Sequence, residues 1–413
     1  MKRPNSVFTG NITYRKLSIK DPLRTSIKPD ESLISRVEYR LVLLKGSVTS
    51  STFYEIGSGM EVKKEFSYIK VANGQGVYEW IDRDSNKIET LDEFEIAAFQ
   101  YNANYIKVYT PTNAYIKTFS NMFNEVLYIK PAAFWKNEEG IKKFIARFSN
   151  QAAYRVDRKN TSRNLGRANP FLSETDDSTL VTLNSSFRNI LSFNKNDSRF
   201  GVDLKYQEIR NKSLLINGFD SRTQLLKSAY IRWNLSKQYT LNFLAARGSK
   251  TSASELFSAK DYKIEYSEFE PGLAFQPNSK FRINAYYNYK DKENRLMKLL
   301  TDTIGGISGG ERALHNKMGA EMKQNSVAKG SLLFKVDYIN ITFKKQDGSK
   351  AVQNTSLGFE MMEGLQTGSN FTWSASYQRN LSGHMQLSVT YDGRKSEETP
   401  AAHRGSVQVR AFF

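Results

Sequence analysis

Residues 403–413 read HRGSVQVRAFF, and this stretch decides the fold. In a β-strand, successive side chains point to opposite faces of the sheet. One face of this segment would therefore carry Val407, Val409, Ala411 and Phe413. The other face would carry Ser406, Gln408, Arg410 and Phe412. The alternation predicts a β-strand with one apolar face that continues to an aromatic residue at the end of the chain.

The same alternation recurs upstream in segments of about ten residues, a length that spans a bilayer when a strand is tilted. These segments are residues 229–235, 281–290, 370–378 and 384–392. In the last of them, Gln386, Ser388 and Thr390 alternate with Met385, Leu387, Val389 and Tyr391. Tight turns and long polar loops lie between the segments, as in barrels with short periplasmic turns and longer outer loops. The pattern predicts a series of β-hairpins.

We predict an all-β fold, namely an antiparallel transmembrane β-barrel of about 14–16 strands preceded by a small soluble β-rich domain. Residues 1–35 are interrupted by Pro4, Pro22 and Pro29, and are predicted to be a linker or the tail of a preceding domain. Residues 36–116 are predicted to form the small soluble domain, which contains an acidic Asp/Asn turn. Residues 117–413 are predicted to form the outer-membrane barrel.

Two segments do not fit a simple strand. Between residues 332 and 343 the apolar positions change from even to odd numbers after Tyr338, which predicts a bulge or a turn there. Residues 136–148 read KNEEGIKKFIARF and carry apolar residues at helical spacing. They fit a short interfacial helix, but we favour the start of the next strand for their second half.

The composition excludes a helical membrane protein, because the chain has no run of about eighteen apolar residues. Aromatic girdles at the two membrane interfaces would explain the 22 Tyr and 26 Phe, and so would a large aromatic-rich sandwich. The chain has no cysteine and only three histidines, so disulfides are excluded and a zinc site is disfavoured. The initial MKRPNSVFTG lacks the apolar core of a signal peptide. We therefore expect this sequence to be the C-terminal part of a longer precursor.

The formal net charge of +18 invites a nucleic-acid interpretation. Most of the positive excess, however, lies in the strand-rich part and is spread over inward positions and loops. Arg232, Arg282, Arg379 and Arg410 are examples, and no concentrated basic arm occurs. This distribution suits a basic lumen or a surface that faces anionic lipid headgroups, so we expect no nucleic-acid partner.

A DRDSNKIETLDE segment that begins at Asp82 resembles a calcium-binding loop. Asp82, Asp84 and Asn86 hold its first, third and fifth positions, and Glu93 holds its twelfth. Lys87 stands where glycine normally makes the sharp turn, and no helix obviously precedes the loop. A calcium ion held by Asp82, Asp84, Asn86 and Glu93 is one interpretation, and an Asx-rich surface turn is the other.

No Ser/His/Asp set and no close pair of buried carboxylates emerges at the strand ends, so we expect no catalytic residues. Several acidic residues are candidates for a polar network in the lumen with Arg232 and Arg282, namely Glu265, Glu268, Glu270, Glu360 and Glu363. In one regular strand, Glu268 and Glu270 would share a face and Glu265 would take the other.

Five segments resemble a family of large outer-membrane proteins of Bacteroidota. They are GQGVYEWIDRDSNKIETLDEFEIAAFQ (74–100), NYIKVYTPTN (104–113), GFDSRTQLLKSAYIRWNLS (218–236), GFEMMEGLQTGSNFTWSASYQRNLSGHMQLSVTYDGRKS (358–396) and HRGSVQVRAFF. The resemblance covers roughly residues 35–413. It implies an outer-membrane location and a barrel architecture, and the family has no established activity. Lys87 departs from the glycine or small residue that the family has in the acidic turn.

The leading hypothesis is a non-enzymatic outer-membrane β-barrel module that acts in envelope transport, assembly or surface display. The alternative is a soluble, aromatic-rich β protein that binds glycans or a protein partner, and a barrel-embedded hydrolase comes third. The expected partners are outer-membrane lipid, envelope proteins and the barrel insertion machinery. The terminal strand ending at Phe413 resembles the signal that this machinery recognises.

Overall fold

The computed structural model describes residues 2–3, 5–19, 30–135, 137–161, 169–171, 179–215, 218–296, 298–299, 307–326, 330–382, 384–397 and 399–411. In chain order its strands are β1 Lys2–Arg3, β2 Ser6–Leu17, β3 Asp30–Leu43, β4 Val48–Lys70, β5 Tyr78–Trp80, β6 Phe94–Ile96, β7 Tyr105–Ile129, β8 Phe148–Asn160, β9 Leu180–Phe193, β10 Phe200–Leu215, β11 Gly218–Asn234, β12 Tyr239–Ser254, β13 Tyr262–Asn278, β14 Phe281–Asn294, β15 Lys298–Leu299, β16 Ile307–Ser308, β17 Arg312–Ser326, β18 Gly330–Lys344, β19 Gly368–Ser382, β20 Met385–Ser396 and β21 Ala402–Ala411. The α-helices are α1 Ala132–Trp135, α2 Gly140–Ile145 and α3 Ser356–Met362. Within these residues, no α-helix has the length and apolar character that crossing a membrane requires.

The prediction of an all-β, antiparallel barrel is confirmed. In the described part of the chain, sixteen long strands form one main sheet, and each pairs antiparallel with the long strand that follows it. The short strands β1, β5 and β6 extend this sheet, while β15 and β16 form a separate two-stranded sheet. Among the described residues, β2 and β21 share no ladder pairs, and β1 pairs with the free side of β2, so β1 and β21 lie at the two edges of the main sheet.

The sheet does not break where the sequence analysis placed the domain boundary. Residues 116 and 117 both lie inside β7, and β7 pairs with β4 over nearly its whole length. Strands β2 and β3 extend the same sheet, although their residues were assigned to a linker and a soluble domain. The physical reason is that β2, β3 and β4 carry the same two-residue alternation as the later strands. Sixteen strands fall in the predicted range only because these three belong to the barrel.

Ladder register divides the side chains of each strand between the lumen and the outer face. Arg222 of β11 lines a cavity together with Tyr78 of the long connection 71–104, which folds into the barrel, so residues that share the face of Arg222 point inward. Following the register through β20 and β21 turns Gln408 and Arg410 inward and Val407 and Val409 outward, as predicted. Phe413 lies outside the described residues, so its predicted contribution to the closing strand stays a prediction.

Connections differ in length between the two ends of the barrel. At one end, β9 and β10, β11 and β12, and β13 and β14 are joined by short turns. At the other end are long connections, among them residues 71–104 and 345–367. Residues 130–147 are the exception at the short-turn end, because they contain α1 and α2 before β8 starts at Phe148. The helical interpretation of this stretch is therefore correct through Ile145, and our preference for a strand start there is wrong.

The predicted bulge near Tyr338 is absent from β18. Its register with β17 and β19 runs without a shift from Gly330 to Ile341. The change of apolar phase is nevertheless real, because Phe334 and Val336 face outward whereas Ile339 and Ile341 face inward. A regular strand can place apolar residues on its inner face when something apolar fills the barrel at that level. In this barrel α3 does so.

Candidate functional site

Two inward-folded segments fill the long-loop end of the barrel. The first plug segment is residues 71–104, between β4 and β7, and it contains β5 and β6. It packs on the wall through aromatic rings, since Phe94 stacks on Tyr68 with the ring centroids 4.1 Å apart. Gly76 allows the backbones to approach closely, because a Cβ there would lie 2.6 Å from backbone atoms of Tyr105. The segment is therefore built against the strands on either side of it.

The first plug segment also reaches strands far from its own. The ammonium group of Lys260, between β12 and β13, donates to the carbonyl of Phe94 at 2.6 Å. Arg404 of β21 donates to the carbonyl of Asn73 at 2.7 Å. Contacts with such widely separated strands require the sheet to curl around the segment. The first plug segment thus crosses the lumen.

The second plug segment is residues 345–367, between β18 and β19, and it carries α3. Thr355 caps this helix, because its hydroxyl accepts the backbone N–H of Gly358 at 2.9 Å. Met361 and Met362 are buried with apolar residues of the inner wall, namely Ile264, Ala313, Ile339, Ile341 and Phe343. This packing holds the second plug segment inside the barrel.

The two plug segments meet at Gly364. Its φ of +72° lies in the left-handed region that favours glycine, and a Cβ would approach Ala98 of the first plug segment to 2.5 Å. The turn that follows α3 can pack this closely on the first plug segment only with glycine at position 364. The two segments therefore form one plug.

Carboxylates of the second plug segment pair with lysines of the wall. Glu363 lies 3.0 Å from the ammonium group of Lys290 and 2.9 Å from that of Lys292. Glu360 pairs with Lys250. Burial raises the pKa of Glu363, but Lys292 and Lys290 lower it by more, so that the pKa lies below its ordinary value. The carboxylate stays ionised and the ion pairs hold the plug on the wall at neutral pH.

Two cavities lie beside the plug. One of about 540 Å³ lies between the plug and the inner wall, where Lys317, Lys335, Asp337 and Thr372 line it. A second, of about 450 Å³, adjoins the first plug segment on the opposite wall, and its lining includes Tyr78, Lys107, Asp220 and Arg222. Both cavities mix charged and aromatic side chains, which suits a small polar solute.

The predicted acidic network is formed in part. Glu268 and Glu270 share the inner face of β13, and the side-chain amide of Asn288 donates to both. Glu265 takes the outer face and lies 3.7 Å from Arg295, as the alternation predicts. Glu268 pairs with Lys290 at 3.4 Å and not with an arginine, whereas the predicted Arg232 donates to the carbonyl of Asp197.

The structure brings together three of the predicted calcium ligands. Asp82, Asp84 and Glu93 each place a carboxylate oxygen within 4.8 Å of the others. The backbone N–H of Lys87 donates to Asp82 at 3.1 Å, and Lys87 adopts a φ of +62°. Lysine therefore makes the sharp turn in a conformation that favours glycine. The amide of Asn86 donates to Asp84 at 2.6 Å.

Glu93 also has a structural role in this loop. Its carboxylate accepts the indole N–H of Trp80 and the backbone N–H of Arg83, each at 2.9 Å. Burial raises the pKa of Glu93, but these hydrogen bonds lower it by more. These hydrogen bonds by themselves account for the ionised, buried carboxylate of Glu93, so calcium stays a prediction.

We expect Tb³⁺, a luminescent substitute for calcium, to be sensitised by Trp80 in this loop. Asp84→Asn should weaken Tb³⁺ or Ca²⁺ binding by about tenfold or more, because it removes one of the few charged ligands. Asp197→Asn, which changes an exposed aspartate at the short-turn end, is the matched control. Luminescence that is absent, or that both variants reduce equally, would contradict the calcium prediction.

The wall lysines and α3 are the functional residues that the sequence analysis missed. Lys290 carried a usable signal, since it lies on the same face of the predicted strand 281–290 as other polar residues, whereas Lys292 lies beyond the predicted end of that strand. The phase change in β18 was a second signal. The phase change marks the level at which α3 fills the barrel. From the sequence alone it predicts a bulge or a turn.

No protein family and no curated protein matches the chain. Among solved structures, the FrpB iron transporter from Neisseria meningitidis (F5-1 variant) is similar at 11% identity and a TM-score of 0.40, over 95% of this chain and 59% of that one. A doubly substituted variant of OccD1 (OprD) is similar at 10% identity and a TM-score of 0.34, over 98% of this chain and 94% of that one. The alcaligin outer-membrane receptor FauA from Bordetella pertussis is similar at 10% identity and a TM-score of 0.32, over 99% of this chain and 70% of that one.

This chain thus spans 59% of the length of the FrpB structure. Resemblances this distant do not reveal what the chain binds or carries, because one fold serves many functions.

Proposed function

We propose that this chain is a non-enzymatic outer-membrane β-barrel module that acts in envelope transport and whose lumen is closed by the plug. One observation carries the proposal: large apolar side chains stay exposed on the outer face of consecutive strands, while the inner face is mainly polar outside the patch that packs on α3. Outward examples are Leu204, Trp233, Leu273, Met318, Phe334, Phe371 and Val407. A water-soluble protein rarely exposes so continuous an apolar surface, whereas hydrocarbon would cover it in a bilayer.

The connection that contains α1 and α2 supports the same proposal. Phe144 of α2 packs on Phe148 and Phe193, both of which point outward at the short-turn end. Ile141 is 79% exposed and Phe134 is 45% exposed. Aromatic and aliphatic side chains on a short amphipathic helix suit the boundary between headgroups and acyl chains. We propose that this helix pair lies at the periplasmic interface.

Transport is favoured over assembly or display because the polar space is inside the barrel. The cavities of about 540 Å³ and 450 Å³ adjoin the plug, where a displaced plug would connect them to solvent. We propose outer-membrane lipid as the partner of the outer face. We propose that the insertion machinery recognises the terminal segment 403–413, which contains most of β21.

Membrane fractionation combined with heat-modifiable gel mobility tests this proposal. We expect the protein in the detergent-extracted outer-membrane fraction and expect its unboiled form to migrate faster than the boiled form, since closed barrels resist unfolding by detergent. Identical mobility of the two samples, together with absence from the membrane fraction, would favour the soluble alternative.

A further inference from the structure

The plug supplies the negative charges that several wall lysines need. Lys292 has only 5% of its side chain exposed, and it lies 2.9 Å from Glu363 and 3.0 Å from the carbonyl of Glu360. Lys250 pairs with Glu360, and Lys290 pairs with both Glu363 and Glu268 of the wall. Displacing the plug removes Glu360 and Glu363. Among the described residues, Lys290 then keeps its ion pair with Glu268 of the wall, while Lys250 and Lys292 lose the carboxylates that pair with them.

The wall below the plug also carries three cations, and the carboxylates of Asp157 and Asp203 share its inner faces. Arg155, Arg188 and Lys205 lie on the inner faces of the consecutive strands β8, β9 and β10, each diagonal to the next in the ladder register. Diagonal neighbours in a sheet are about 7–8 Å apart. Within the part of the chain that the structure describes, none of the three has a carboxylate within ion-pair distance.

On the opposite wall of the barrel, the described cations also outnumber the carboxylates that pair with them. Lys317 and Lys335 share a single carboxylate, that of Asp337, at 3.6 Å and 3.5 Å. Tyr286 also donates to Asp337, so this carboxylate serves three donors. At least one of the two lysines therefore faces the cavity of about 540 Å³ without full neutralisation.

We infer that the lumen selects anionic solutes that carry carboxylate or phosphate groups. The inference rests on the proposed transport function and names its solute class. A channel with basic side chains in low-dielectric walls raises the local concentration of anions and lowers that of cations. Glu360 and Glu363 occupy the lysines that the acidic groups of a solute would contact once the plug moves.

Single-cysteine reporters test the inference, since the chain has no cysteine. Gln207 faces Arg188 directly across the ladder and lies two residues from Lys205. The probes are a negatively charged and a positively charged methanethiosulfonate reagent, applied to Gln207→Cys in the full chain folded in detergent. We expect the anionic reagent to be favoured about tenfold, relative to the ratio at an exposed thiol from Ser236→Cys.

Charge removal then identifies the source of the preference. The triple variant Arg155→Gln, Arg188→Gln, Lys205→Gln should bring the normalised ratio close to one. The matched control is Lys195→Gln, Lys237→Gln, Lys280→Gln, which removes equal charge from exposed short turns and should leave the ratio unchanged. A second reporter, Thr372→Cys, should show a larger anion preference when Glu360→Gln and Glu363→Gln are added.

A normalised ratio of one or less at position 207, or equal effects of the two triple variants, would overturn the inference. The rates are measured in detergent, so they remain informative if membrane fractionation fails. Failure of fractionation with an intact anion preference would contradict the outer-membrane role alone.

Discussion

Met361→Asp is expected to open the cavity under the plug. Met361 is 0% exposed and packs with Ile264 and Ile341, so even its truncation would cost roughly 2–5 kcal/mol, and a carboxylate adds a desolvation cost. A loss of about 3 kcal/mol shifts the balance between docked and undocked plug by roughly 100-fold. The reporter is Thr372→Cys, whose labelling by an uncharged maleimide should accelerate by at least about tenfold.

Val352→Asp is the matched control for this variant. It introduces the same charge into the same plug segment, but Val352 is 62% exposed, so the plug should stay docked and labelling should stay slow. Heat-modifiable mobility establishes that the barrel itself is folded in both variants. Fast labelling in the unsubstituted plug, or equal rates in the two variants, would mean that packing around Met361 does not close the cavity.

Val389→Arg should destabilise the barrel far more than Ser388→Arg. Both residues lie near the middle of β20, where Val389 points outward beside Val407 and Ser388 points into the lumen beside Gln408. An arginine on the lipid-facing side at the bilayer midplane costs about 2–4 kcal/mol, whereas the lumen can hydrate it. Reversible unfolding in lipid vesicles measures the free energy of unfolding of each variant.

The neighbouring position provides the control, because both substitutions add the same side chain to the same strand. A soluble barrel would predict similar, small effects at the two positions, since water reaches both faces. Equal unfolding free energies for the two variants would therefore argue against a lipid-facing outer surface. A larger loss at Ser388 would reverse the assignment of the faces.

The strands could be predicted from the sequence because their signal is local. In β20 and β21 the alternation of apolar and polar residues alone assigns Val389 and Val407 to one face and Ser388 and Gln408 to the other, and the register agrees. A one-residue change of register would move all of these side chains to the opposite face, so the pattern specifies the pairing strongly.

The domain boundary could not be predicted in the same way. The acidic loop that begins at Asp82 interrupts the alternation, and a polar interruption has the same composition whether it links two domains or folds into a lumen. Only the pairing of β4 with β7 decides between the two, and it joins residues on either side of the loop. That pairing is a long-range contact, for which the local sequence carries no signal.

The features of the candidate site also differ in whether they depend on local spacing or on long-range contacts. The sequence by itself determined the alternating strands, the acidic loop of Asp82 and the shared face of Glu268 and Glu270, since each follows from spacing within one short segment. Only the tertiary structure decided that Glu360 and Glu363 pair with lysines more than sixty residues away, and that α3 fills the barrel. The physical reason is that alternation fixes the direction of a side chain, whereas its partner depends on how the sheet curls around what it encloses.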